Sequence, residues 1–296
     1  MLISTMLRSR LLSMLLALVL LASQALATWS IVVVNRRTGE ICLASATCIE
    51  NFNLRNGIGV MAVEIGCGAT QSLATSALTR LRIHDLLLEG VPPAEILDLI
   101  AVGDTLWPAR QLGIVDLAGR AATYSGSSCG TWFGGVTGTA GDLVYAIQGN
   151  VLTGSPVVSL CEAALLATPG DLGQKVMAAM EAAMSMGGDG RCSCSPLDPE
   201  GCGVPPPGFT KSAHVSFFLI ARPGEEEICA PFGCAEGDFY LAINQASLTA
   251  ADPDPVLLMR QKFNVWRAAL AGRPDAVTST VWPPSAAVPA GASGTT

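Results

Sequence analysis

Histidine is nearly absent from this chain, and so are several features that would place it in familiar classes. Only His84 and His214 occur in 296 residues, which argues against structural zinc bound by imidazoles at set spacing, and no metal or other cofactor is expected. After residue 27 no stretch approaches the roughly 18 uninterrupted apolar residues of a membrane-spanning helix. Positive charge is scarce, with 17 basic residues against 24 acidic ones. That balance argues against nucleic acid and anionic membrane as partners. No internal repeat is evident.

What the beginning of the chain does have is the pattern of a secretory signal. Arg8 and Arg10 precede an apolar run from Leu11 to Leu21, followed by Ala25-Leu26-Ala27. These are the charged, apolar and small-residue regions of a cleavable signal peptide spanning residues 1–27. Residue 28 is threonine, so the lipoprotein reading, which needs a cysteine there, has no support. Removing residues 1–27 takes away Arg8 and Arg10, leaving 15 basic against 24 acidic side chains and a formal charge of about −9. The remaining 269 residues, in a chain that is 50% apolar, suffice for a sizeable core. One domain is expected over 28–272, with a loose Pro/Ala/Gly/Ser/Thr tail over 273–296. The expected compartment is the periplasm or the cell exterior.

Cleavage after Ala27 would expose a free α-amine beside the hydroxyl of Thr28, the pair of groups an N-terminal nucleophile requires. Ser, Thr or Cys would fall at such a position by chance in roughly one case in five. The segment that follows, Trp29 to Asn35, is β-branched and apolar, so it would anchor the terminus in a buried strand.

All ten cysteines lie after the cleavage point. An even count in an exported chain favours disulfides, with the loops Cys192–Cys202 and Cys229–Cys234 as staples and the connectivity open. Strands are predicted at Thr28–Asn35 and Ile41–Thr47, joined through Gly39, and at Ile58–Ile65. A helix over Gln71–Glu89 with Leu73, Leu78, Leu81, Leu86 and Leu88 on one face follows, then a helix over Ala94–Val102. Arg110–Asp116 and Arg120–Ser125 form a second hairpin, and Asp142–Gln148 a further strand. Helices near Pro156–Ala167 and Asp171–Met186, strands at His214–Ala221 and Asp238–Ile243, and a helix from Pro255 capped by Asp254 complete the chain. Hairpins separated by blocks of helices point to an α+β fold with antiparallel sheets faced by helices.

Five stretches, in order and spacing, carry a resemblance: Thr28-Trp29-Ser30-Ile31-Val32, Ala69-Thr70-Gln71, Arg110-Gln111-Leu112-Gly113-Ile114-Val115-Asp116, Gln148-Gly149-Asn150-Val151-Leu152 and Gly187-Gly188-Asp189. Together they resemble the uncharacterised bacterial family called domain of unknown function 1028, over roughly residues 28–270. That family in turn resembles the Ntn-hydrolase superfamily. The resemblance implies a four-layer αββα sandwich with the nucleophile, here Thr28, at the start of a central strand. Family members pass from the Gly-Gly-Asp motif almost directly into a Ser-Ala strand. This chain instead interposes a Cys- and Pro-rich insertion, about 191–211, between Arg191 and Ser212-Ala213.

The chemistry expected is hydrolysis of a C–N bond in a small or peptide-like amide through a threonyl ester. The Thr28 α-amine, with a reference pKa of about 8, would act as base, so no catalytic histidine is needed. Asn150 is the first candidate for oxyanion donor and Gln71 the second. Against them stand a turn-capping asparagine and the start of a helix. Asp189 and Arg191 would be presented to substrate from a glycine-rich turn, and Ser45 would line the pocket or bond its own sheet. His84 and His214 read as structural, Asp252 and Asp254 as a helix cap in preference to a calcium site, and Glu225-Glu226-Glu227 as a solvated loop. The competing expectations are a non-catalytic binding protein and a disulfide-braced structural component, since a fold does not guarantee activity. Oligomeric state, a homo-oligomer included, is left open. N-terminal sequencing or intact mass of exported protein should place the first residue at Thr28; a start one residue away would separate the amine from its hydroxyl and remove the catalytic model.

Overall fold

The computed structural model describes residues 27–271 apart from 74, 75, 230 and 232. Nearly all of the signal-peptide segment, and the tail over 273–296, lie outside the described residues. The fold is mixed α and β, with seven helices among the described residues and all sheet pairings antiparallel.

The first strand, β1 (Thr28–Asn35), is buried along its whole length. Its two neighbours are β2 (Glu40–Thr47) and β8 (Leu143–Asn150), paired Thr28 to Thr47 on one side and Thr28 to Asn150 on the other. The remaining strands of this six-stranded sheet are β7 (Phe133–Ala140), β9 (Val215–Ala221) and β12 (Leu241–Gln245), in the order β12-β9-β2-β1-β8-β7. A second sheet contains β3 (Gly59–Ala62), β4 (Gly66–Ser72), β5 (Arg110–Asp116) and β6 (Ala121–Ser125). A short ribbon joins β10 (Glu227–Ile228) to β11 (Glu236–Gly237).

Side chains alternate across β1, and each set has its own core. Trp29, Ile31 and Val33 pack with Val157 and Leu165 of α4 (Pro156–Ala167), Met177 and Met180 of α5 (Leu172–Ser185) and Phe263 of α7 (Pro255–Ala271). Val32 and Val34 pack instead with Met61, Cys67 and Val115 of the second sheet and with Leu54 of α1 (Leu54–Ile58). A strand buried on both faces must be apolar continuously, which is why Ile-Val-Val-Val works here. The outer face of the second sheet, through Val60, Leu112 and Ile114, receives Ile83, Leu86 and Leu87 of α2 (Ala77–Leu88) and Ile96 of α3 (Pro93–Ala101).

Several local expectations change. Gln71 does not open a helix: it is in β4, and α2 starts only after Ser76, whose hydroxyl accepts from the Thr79 N–H at 3.2 Å. The buried face of that helix is Ile83, Leu86 and Leu87, while Leu78 and Leu88 are exposed. The third strand is shorter than its apolar run because Ile58 closes a helix ahead of it and residues 63–65 turn into β4, with the Ile65 N–H donating to the Ala62 carbonyl at 3.0 Å. β7 escapes a periodicity reading because Gly134, Gly135 and Gly138 interrupt it. Tyr145 packs where a Gly138 side chain would be, and Gln148 and Thr123 crowd Gly135, so small residues there admit their neighbours. Asp254 does cap α7, its Oδ1 accepting from the Val256 N–H at 2.8 Å.

The cysteines divide six to four. Cys48–Cys192, Cys194–Cys202 and Cys229–Cys234 are bonded, while Cys42, Cys67, Cys129 and Cys161 are buried thiols. Most of the cysteines are thus bonded, and both loops expected to be stapled carry disulfides. Cys42 and Cys67 sit in the cores as small apolar side chains, and burial pushes the Cys67 thiol up to about 12. Thiol counting should find close to four sulfhydryls per chain, all hidden until the protein is denatured; a count near zero or ten would contradict this pairing.

Candidate functional site

Every residue singled out around Thr28 converges on the first residues of β1. The register that pairs Thr28 with Asn150 and Thr47 brings the ends of β8 and β2 beside it. Gln71 and Gln111 reach in from β4 and β5 of the other sheet. Thr28, Ser45, Thr47, Gln71, Gln111, Asn150 and Asp189 are all buried.

Amides hold the floor of this region. Gln71 Nε2 donates to the Thr28 carbonyl at 2.9 Å and to Gln111 Oε1 at 2.7 Å, which engages both of its hydrogens. Asn150 Nδ2 donates to the same Gln111 oxygen at 2.9 Å. Gln111 Nε2 in turn donates to the Gly149 carbonyl at 2.8 Å and the Ser125 hydroxyl at 2.7 Å. Gln111 is thus the hub that ties both sheets to the start of β1, a role that nothing in its local sequence signals. Ser45 Oγ donates to the Trp29 carbonyl at 2.7 Å, and Ser30 Oγ lies 2.5 Å from Gln71 Oε1 and 3.0 Å from Ser45 Oγ. Ser45 is therefore bonded to its own sheet, two residues from Thr47, the partner of Thr28.

A charged pair closes the other side. Asp189 caps α6 (Gly190–Ser193) and accepts from Arg191 Nε at 3.1 Å, Arg191 Nη2 at 2.8 Å and the Cys48 N–H at 2.7 Å. Burial raises the Asp189 carboxyl above its usual range, opposed by the Arg191 charge and these hydrogen bonds. Arg191 Nη2 also donates to the Ala27 carbonyl at 3.1 Å, and the Thr47 hydroxyl donates to that same oxygen. Thr47 is a further site residue that local sequence did not mark; only the β1–β2 register places it here. The insertion is bolted over this corner by Cys48–Cys192, with Pro199 against Gly190 and Pro206 against Gly187. His214, whose Nδ1 is 3.8 Å from Cys48 Sγ, is lowered by burial first and by nearby Lys211 second.

Gln148 points between the sheets, packed against Gly113 and Gly135. Among the described residues neither its amide atoms nor Asn150 Oδ1 has a hydrogen-bond partner. A cavity of about 580 Å³ lies at the opposite end of β1, lined by Asn35, Arg37, Glu40, Lys175, Arg222 and Tyr240 among others. Seven residue steps of strand put it roughly 23 Å from Thr28. No helix among the described residues is long and apolar enough to cross a membrane.

The molecule is thus an α+β protein whose first strand begins in a buried polar cluster of amides, hydroxyls and one ion pair. It belongs to the family of unknown function DUF1028, whose profile matches residues 28–196. A crystal structure of protein SPO2555 from Silicibacter pomeroyi, assigned to the same family, is similar in fold, with a TM-score of 0.57 and 21% identity over 81% of this chain and 88% of that one. No curated protein matches the chain.

Replacing the hub tests the network directly. Gln111→Met keeps the bulk but leaves the Gln71 and Asn150 donors and the Gly149 carbonyl without their partner. Denaturant unfolding should show a loss on the order of 3 kcal/mol. A loss within the scatter of surface substitutions would mean that the amides re-pair locally.

Proposed function

We propose that the chain is an exported N-terminal-threonine hydrolase that cleaves a C–N bond in a small or peptide-like amide. The observation that carries this reading is the place of Thr28: the first residue of a strand buried on both faces, with Thr47, Gln71, Asn150, Asp189 and Arg191 gathered around it. The two sheets and three apolar cores also support a four-layer αββα arrangement of the Ntn-hydrolase kind.

In this reading, removal of residues 1–27 frees the Thr28 amine. The amine takes the proton of its own hydroxyl as Oγ1 attacks the substrate carbonyl. The C–N bond breaks, the leaving amine recovers that proton, and water then hydrolyses the threonyl ester. Thr47 Oγ1 and Arg191 Nη2, which here share the Ala27 carbonyl, would meet a substrate carbonyl in the same corner. Asn150, with one Nδ2 hydrogen not spent on Gln111, is the further donor, whereas Gln71 fixes the Thr28 carbonyl and acts by positioning. Asp189 holds the Arg191 fork in place, and Ser45 serves the backbone beside it.

A binding role has one observation of its own, the cavity at the far end of β1, where Arg222 stacks 3.2 Å over the Tyr240 ring and pairs with Glu40. Its charged lining suits a zwitterionic ligand better than an apolar one.

Chain processed to start at Thr28 should be labelled at that residue by an amide-mimicking electrophile. Thr28→Ala should fold and lose the label, and Thr28→Ser should retain part of the activity because it keeps both amine and hydroxyl. Asn150→Ala should lower turnover by roughly two to three orders of magnitude if its amide meets the oxyanion. Labelling that persists in Thr28→Ala moves the chemistry elsewhere, and a wild-type chain inert to every electrophile and amide favours the binding role.

A further inference from the structure

A second cluster of reactive side chains lies away from Thr28, where α2, the β10 ribbon and the loop after it meet the edge of the second sheet. The Cys229 sulfur is 3.5 Å from His84 Nε2, and the Cys229, Cys234 and His84 donor atoms all lie within 4.8 Å of one another. Glu227 Oε1 is 2.7 Å from the same imidazole nitrogen. Two sulfurs, an imidazole and a carboxylate make a donor set that suits a tetrahedral zinc ion. We propose that the chain, when Cys229 and Cys234 are thiols, holds one Zn²⁺ ion between these two sulfurs, His84 Nε2 and the Glu227 carboxylate.

The surroundings are built for such a load. His84 and Glu227 retain only 9% and 14% side-chain exposure, so few waters compete for the ion. Cys234 is held by its backbone, its carbonyl accepting from the Met61 N–H at 2.7 Å beside the bridge to Val60. Glu227 Oε2 accepts from the Val63 N–H at 3.2 Å, which leaves Oε1 aimed at the imidazole. Asp85 Oδ1 lies 3.6 Å from His84 Nδ1, on the side that keeps the ring proton when Nε2 gives its lone pair to a metal. Arg80 packs against Gly233 in the same loop, and its charge offsets the net negative charge of a dithiolate–carboxylate site.

The chemistry balances without an unnamed partner. A phosphine reductant cleaves the Cys229–Cys234 bond, taking its oxygen from water and leaving two thiols. Zinc then displaces the two thiol protons, and the sulfurs part to about 3.8 Å, the separation that tetrahedral Zn–S bonds of about 2.3 Å require. The sequence hid this site because His84 precedes Cys229 by 145 residues, and two cysteines alone do not declare a metal.

The full chain is treated with phosphine or left oxidised, and zinc content and cobalt spectra are read. One zinc per reduced chain, none per oxidised chain, and a cobalt thiolate charge-transfer band are expected. Alkylation mapped by mass spectrometry should find Cys229 and Cys234 protected by zinc while the reduced Cys194 and Cys202 react. Glu227→Gln should weaken zinc binding by at least about 10-fold. Equal alkylation of Cys229 and Cys234 with and without zinc overturns the proposal, as does protection that falls on Cys48 and Cys192 beside His214 instead. Unchanged zinc affinity in Glu227→Gln overturns the carboxylate's place in the site.

Discussion

Burial of β1 on both faces is the constraint from which the rest of this architecture follows. A strand that must pack helices on one side and a second sheet on the other cannot shift by one residue without sending Trp29 and Ile31 into the wrong core. The register to β2 and β8 is therefore fixed, and with it the identity of the residues opposite Thr28. The site is a consequence of that register. Thr47 and Asn150 arrive because strand pairing delivers them, and only Gln71, Gln111 and the Asp189–Arg191 pair have to be supplied from outside the sheet.

The polar floor is almost uncharged, which is how it survives between two apolar layers. Neutral amides can satisfy one another through paired N–H and carbonyl groups, and burying them costs far less than burying ions. Gln111 makes this possible by accepting from two amides while donating to the backbone of β8. The exception, Asp189, is buried only with a guanidinium and two backbone N–H groups on its oxygens. Breaking that set would strand a charge, so Arg191, Asp189 and the Cys48–Cys192 bond behave as one structural unit.

Much of this was legible in the sequence where local pattern and tertiary role coincide. The Val-rich run from Ile31 to Val34 announces a buried strand, Gly39 announces the hairpin turn, and Pro156, Asp171 and Pro255 announce three helices. Legibility failed where a residue's reason lies elsewhere in the chain. Gln71 looked like a helix start because leucines follow it, yet β5 claims it for a strand. The glycines of β7 carry no periodicity, since each is small on account of a neighbour on β8 or beside it. Gln111 and Thr47 carry no local mark of their function, because their importance is a matter of which distant groups they face.

Gln148 illustrates how such dependence binds residues together. Its amide occupies the volume that a side chain at Gly113 would need, so two positions on two strands share a single allotment of space, while Gly135 is crowded by the glutamine's Cβ, the Thr123 hydroxyl and the Ile147 carbonyl. Enlarging Gly113 demands that the glutamine shrink, and trimming the glutamine opens a void that a larger residue at 113 can fill. Enlargement at 113 is therefore blocked while Gln148 stands, whereas trimming first the glutamine, whose buried amide has no hydrogen-bond partner among the described residues, opens the way. Descendants of this chain can enlarge residue 113 only with or after a smaller residue at 148, which ties the two positions together in inheritance although they lie far apart in sequence.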